Sequence, residues 1–177
     1  MLNMLFKIFL LTLLINNYNL RSNENELFNA EEYFKNGDIE NAIRLLDWLE
    51  NNLESKIRLA SIYCYLENWK SLEEILISFK EYQNFHDLYY YYSARIALSQ
   101  NKVGTARLLF EKALRNSNTE TQGLTPYIYF YKSLCFLKIG MKKNLEEYLK
   151  LAIKHNFQPE TKQEIKYLNK MRIYLDR

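Results

Sequence analysis

Beyond residue 22, the apolar positions of the chain follow one template that recurs four times. A small residue begins each copy: Ala30, Ala60, Ala94 and Ser133. Three, twelve, sixteen and nineteen residues after Ala30 stand Tyr33, Ala42, Leu46 and Leu49. The same offsets from Ala60 give Tyr63, Leu72, Leu76 and Phe79. From Ala94 they give Ala97, Ala106, Phe110 and Ala113, and from Ser133 they give Phe136, Leu145, Leu149 and Ala152. Residues three or four apart share one helix face, so each half of the template is the apolar stripe of one helix. A break divides the halves at Lys35-Asn36-Gly37-Asp38, Glu67-Asn68, Gln100-Asn101-Lys102 and Ile139-Gly140. Gly37 and Gly140 suit the left-handed residue that closes a helix.

Each copy therefore predicts helix, tight turn, helix. A lone pair cannot bury both of its apolar faces, so neighbouring pairs must stack to make a core. The pattern predicts helices over 24–36, 39–51, 54–66, 69–82, 86–100, 103–116, 126–139, 142–155 and 160–175. The last opens on Pro159 and a Thr161-x-x-Glu164 capping pattern. Its apolar stripe is expected to be Ile165, Leu168, Met171 and Leu175. Such a helix, with one polar face, suits the end of an array.

Composition narrows the classes. Only four Gly and two Pro occur, whereas strand-rich folds need many special turns. Apolar residues make up 48%, which excludes a disordered chain. The net charge of +3 comes from Lys and Arg interspersed with Glu and Asp, with no basic block. That pattern lacks the electrostatic footprint of a nucleic-acid binder.

Residues 1–22 stand apart as an apolar leader. Met4-Leu5-Phe6-Lys7 precedes the run Ile8 to Ile15, and Asn16-Asn17-Tyr18-Asn19 then turns polar. A basic start followed by a short apolar run matches a signal peptide. The run is shorter than the roughly 20 residues of a spanning helix. No small-x-small pair follows it, as signal cleavage would need, and no cysteine that could take a lipid. Two readings stay open: an exported or membrane-anchored protein tethered through residues 4–15, and a cytoplasmic one whose apolar segment packs on the repeats.

Candidate chemistry is sparse. His86 and His155 lie in different copies of the template and share no metal-ligand spacing. Cys64 and Cys135 fall in first helices two copies apart. Neighbouring helices pack roughly 8–10 Å apart, and a disulfide needs Cα atoms within about 7 Å. Both thiols are therefore expected to be unpaired apolar fillers. Glu31-Glu32, Glu73-Glu74 and Glu146-Glu147 have Lys or Arg nearby and read as solvated faces. No phosphate-binding glycine loop or nucleophile motif is present. We assign no catalytic, cofactor or metal residue, and expect no cofactor and no enzymatic activity.

Over about residues 23–158 the chain resembles the tetratricopeptide repeat family. Tyr90 to Leu114 carries the likeness most fully, with Tyr90 at the aromatic opening site and Ala94, Ala106, Phe110 and Ala113 in register. Ala30 to Leu49 follows closely, through Gly37-Asp38-Ile39-Glu40-Asn41-Ala42. The family repeats every 34 residues; here the anchors are 30, 34 and 39 apart. The resemblance implies an all-α fold, a right-handed superhelical array of about four helix pairs with residues 159–177 as a capping helix. First helices would line its concave face. In that register the face holds Leu27, Glu31 and Phe34, then Ile57, Ser61, Cys64 and Tyr65. Tyr91, Arg95 and Leu98 follow, then Phe130, Leu134 and Leu137. Tyr90 would pack inward and Tyr91 would point into the groove. From these we take Ile57, Tyr65, Tyr91, Arg95, Leu98, Phe130, Leu134 and Leu137 as the expected groove, apolar with Arg95 as the cation near its centre. Family members that clamp chaperone C-termini use a set of Lys, Arg and Asn there, which this chain lacks. The implied function is a non-enzymatic protein–protein interaction scaffold holding a peptide or helix of a partner protein. The alternative is a small cytoplasmic chaperone for a secreted client.

Overall fold

The structure is a computed structural model that describes residues 24–49, 52–79, 86–117, 122–159 and 161–176. The expected leader, residues 1–22, lies outside the described residues. Among those described there are nine α-helices, one short 3₁₀ turn and no strand, so the fold is all-α. The helices are α1 (Glu24–Lys35), α2 (Ile39–Trp48), α3 (Leu53–Tyr65), α4 (Trp69–Phe79), α5 (His86–Ser99), α6 (Val103–Asn116), α7 (Thr125–Lys138), α8 (Lys142–Lys154) and α9 (Lys162–Leu175). Compactness divides the chain into two units, Met1–Ile75 and Leu76–Arg177, with the boundary inside α4.

The template survives as a hydrogen-bonding pattern. Seven residues after each anchor stands a left-handed residue: Gly37 at φ 81°, Glu67 at 56°, Asn101 at 59° and Gly140 at 73°. The next N–H reaches back to the carbonyl three residues after the anchor. These bonds are Asp38 to Tyr33 (2.8 Å), Asn68 to Tyr63 (2.9 Å), Lys102 to Ala97 (2.8 Å) and Met141 to Phe136 (3.0 Å). This is the Schellman closure, in which a left-handed residue lets an N–H satisfy an orphan carbonyl at the helix end. Helix restarts at once, as Ala42, Leu72, Ala106 and Leu145 donate to the carbonyls of Asp38, Asn68, Lys102 and Met141. Those four donors are 0% exposed, and the four anchors are at most 1% exposed. The positions sixteen and nineteen residues on are buried in every copy. Only the position three residues on varies: Ala97 and Phe136 are buried, Tyr63 is half-buried and Tyr33 is exposed.

In the first unit, α1 packs on α2 and α2 on α3. Leu27, Ala30, Ala42, Leu46, Leu49, Leu59 and Ile62 form the core, with Phe34, Tyr63 and Ile75 against it. The helix starts are tied by side chains. Asp38 accepts from the Asn41 N–H (3.3 Å), Asn52 from Glu54 (2.9 Å) and Asn68 from Ser71 (3.3 Å). Glu31, expected on a solvated face, is instead buried, 2.6 Å from Lys35 Nζ. That ion pair raises the Lys35 ammonium above its ordinary value.

In the second unit, α5 pairs with α6, α7 with α8, and α6 packs on α7. The starts of α6, α7 and α8, at Lys102, Leu124 and Met141, have no side-chain cap. Helix α9 packs on α7 and α8 and opens on the expected capping box between Thr161 and Glu164. Its buried stripe differs from the expected one. Glu164, Leu168 and Met171 are buried and Leu175 half-buried, while Ile165 is 47% exposed. Cys64 and Cys135 are buried and not joined in a disulfide, and burial pushes the Cys135 thiol up to about 12.

Candidate functional site

Four consecutive tyrosines point in four directions from α5, because successive helix residues are about 100° apart. Tyr91 and Tyr92 are the buried pair (5% and 4% exposed), whereas Tyr89 and Tyr90 are half-buried. The inward residue expected at Tyr90 is thus displaced by one position. Tyr91 sits against Phe110 of α6 and Tyr131 of α7, with ring centroids 6.2 and 6.4 Å away. Phe110 and Tyr131 lie near-parallel, 6.2 Å apart.

One turn beyond Tyr91, Arg95 is half-buried and completes this cluster. Its Cζ lies 3.7 Å from the centre of the Tyr131 ring, and its Nη1 donates to Tyr91 Oη at 3.2 Å. A guanidinium lying on a ring face gains cation–π attraction of about 0.5–2 kcal/mol. It also directs its N–H groups sideways, in its own plane, the geometry that meets carboxylates and carbonyls. Tyr131 Oη in turn donates to Glu164 Oε1 at 2.6 Å. Burial raises the Tyr131 phenol well above its ordinary value; the neighbouring Arg95 charge opposes that and Glu164 reinforces it.

The expected apolar groove residues of this unit take a different place from the one implied. Phe130 is 0% exposed, Leu134 2% and Leu98 7%. Phe130 is stacked on Phe157, from the segment after α8, at 4.1 Å and 11°. These side chains are core in the folded chain and do not form an open strip. Leu137 is half-buried, like Arg95. In the first unit, Ile57 is buried and Tyr65 is 38% exposed, its ring edge-on to Phe34 at 6.0 Å. The correction has a simple cause: apolar side chains pointing away from their own pair are covered wherever chain is available to cover them.

Two members of the cluster carry no signal in the template. Tyr131 lies two residues before an anchor, and Glu164 reads as a capping residue only. A second missed feature is Lys132, which is 2% exposed. Its ammonium donates to Glu111 and to Tyr148 Oη (2.9 Å), and lies 4.3 Å from the centre of the Tyr148 ring. That bond holds the Glu111 carboxyl below its ordinary value of 4.5. His86 is half-buried at the start of α5, edge-on to Tyr90; His155 is exposed at the end of α8, beside Tyr129.

No family model, curated protein or solved structure matches the chain. The reading of its site therefore rests on geometry and chemistry. Among the described residues, no group of three or more His, Cys, Asp or Glu is placed to hold a metal ion. None of their helices is long and apolar enough to cross a membrane.

Proposed function

We propose that the chain is a tetratricopeptide-like, right-handed superhelical array serving as a non-enzymatic protein–protein interaction scaffold. The observation that carries this reading is the fourfold recurrence of one closed helix pair. Each copy has a left-handed residue seven positions after its anchor and a fully buried residue twelve positions after it. Identical pairs that bury the same face are the units from which stacked binding surfaces are built. Within the second unit, the half-buried Arg95, bedded on Tyr131, supplies directional donors, and the half-buried Leu137 supplies apolar surface. A partner segment meeting them would combine an acidic or carbonyl group with an apolar side chain, as helix-in-groove and peptide recognition both do. The apolar run at residues 4–15 supports an exported or membrane-tethered scaffold.

A photo-reactive residue at position 137, compared in cells with one at the exposed Leu108 of α6, tests this. A discrete cross-linked protein from position 137 only, lost on Arg95→Ala, is the expected result. Equal, diffuse labelling from both positions would remove the scaffold reading. Cell fractionation with sequencing of the mature N-terminus separates export from the cytoplasmic chaperone.

A further inference from the structure

Helix α9 is held differently from the other helices of its unit. In the pair interfaces, the template positions of α6 and α8 are fully buried apolar residues: Ala106, Phe110, Leu145 and Ala152 are all 0% exposed. The buried stripe of α9 instead begins with a carboxylate, Glu164, followed four and seven residues later by Leu168 and Met171. Three hydrogen bonds tie α9 to α7 and the turn that follows it. Glu164 accepts from Tyr131 (2.6 Å), Met171 Sδ accepts from Ser133 Oγ (3.1 Å), and Tyr174 Oη donates to the Gly140 carbonyl (3.3 Å). Leu168 and Met171 add apolar burial (9% and 0% exposed), while the hydrogen bonds beside them can be replaced by water or another protein at small net cost.

We infer that α9 is the chain's own ligand, a displaceable strap on a docking site for amphipathic helices that carry a carboxylate. The inference rests on the scaffold reading and names its partner class: a helix with an acidic residue in its first turn and apolar residues four and seven positions later. Charge selects the acid. The acceptor sits against the Tyr131 phenol, and the Arg95 guanidinium covers the same ring. A carboxylate at this place meets a strong donor and a nearby positive charge, whereas an amide gains only the donor. The occupied site also explains why Tyr131 Oη, deep in the unit, is satisfied by α9, whereas Ser133 Oγ already donates to the Phe130 carbonyl of its own helix at 2.6 Å. A partner that removed α9 without replacing the carboxylate would strand the phenol.

The test uses the full chain and a synthetic peptide of residues 161–176. Hydrogen exchange should show α9 amides opening at least about tenfold faster than those of α7, as a separately released segment does. The peptide should bind the Met171→Ala chain about tenfold more tightly than the unmodified chain, because an occupied site lowers apparent affinity by the fraction open. Tyr174→Phe removes only the partly exposed bond to Gly140 and serves as a second, milder loosening of the strap. A peptide with Glu164→Gln should bind either variant several-fold more weakly. Exchange of α9 in one step with α7, or equal binding of the Glu and Gln peptides, would overturn the inference. Both readouts are made on purified protein. Their failure leaves the cross-linking result untouched, and a failed cross-link leaves them interpretable.

Discussion

In Met1–Ile75, every helix start from α2 to α4 is tied by an Asp or Asn side chain, at Asp38, Asn52 and Asn68. In Leu76–Arg177, the starts of α6, α7 and α8 have no such tie. The cores differ in the opposite sense. The first unit buries mainly Leu, Ile and Ala, whereas the second adds Tyr91, Phe110, Phe130 and Tyr131 in mutual contact. Aromatic side chains bury roughly 150–250 Å² each and dominate the energetics of cores that hold them. Where that burial is large, orphan N–H groups at a helix start can be left to water or the next turn. Where it is smaller, local caps supply the missing stability. One backbone template is thus held together by two different balances of local and tertiary chemistry.

The largest expected effect attacks the aromatic side of this contrast. Phe130→Ala should cost about 3–5 kcal/mol, the range for a fully buried Phe, read as a shifted denaturant midpoint for Leu76–Arg177. A loss below about 1 kcal/mol would mean the ring stack with Phe157 is not core. Next comes the buried ammonium. Glu111→Ala leaves the Lys132 ammonium with Tyr148 but without its carboxylate and should cost about 1–3 kcal/mol, whereas Lys132→Met, which removes the charge itself, should stay within about 1 kcal/mol. The pair also sets an acid limb. The carboxyl of Glu111 is depressed in the folded chain, so its contribution is complete above 4.5 and fades as pH falls below that value. Lys132→Met should flatten that limb in an acid titration of stability.

The caps come third. Asn52→Ala should destabilise Met1–Ile75 by about 1–2 kcal/mol, visible as earlier loss of protection in α3. A matching substitution at the start of α6, Lys102→Ala, should fall within about 0.5 kcal/mol, since no side-chain bond is there to lose. Equal effects at the two positions would dissolve the contrast. The smallest effect is a gain. Glu67 adopts φ 56° with a Cβ that this region disfavours. Glu67→Gly should therefore stabilise by about 0.5–1 kcal/mol, measured as a higher midpoint with unchanged m-value.

The pairs, their turns and their buried sites were legible because they depend on residues within one turn or two of each other. Asn101 and Glu67 occupy the left-handed site without being Gly; the template placed the break there, but only Gly37 and Gly140 announced the left-handed residue. The groove was not legible for a physical reason. Register states which way Phe130 or Leu134 points, but not what later chain lies over it. Phe157 covers Phe130 from 27 residues away in sequence, and Glu164 meets Tyr131 across 33. Ile165 was expected inward on hydropathy alone, and the neighbouring Glu164 took its place because a phenol waited there. Lys132 carries no signal in the sequence because nothing in its neighbourhood announces Glu111 or Tyr148.

The turn seven residues after each anchor has a kinetic meaning. Its closing hydrogen bond joins residues five apart, so the loop-closure entropy to be overcome is close to the smallest a chain can have. The two helices it joins meet through residues fewer than twenty positions apart, from anchor to the last template site. Chains dominated by such short-range contacts fold quickly, and any of their repeats can serve as the nucleus from which order spreads to its neighbours. Nascent chain leaving a ribosome would therefore close its turns early, while each pair still waits for a neighbour to complete its core.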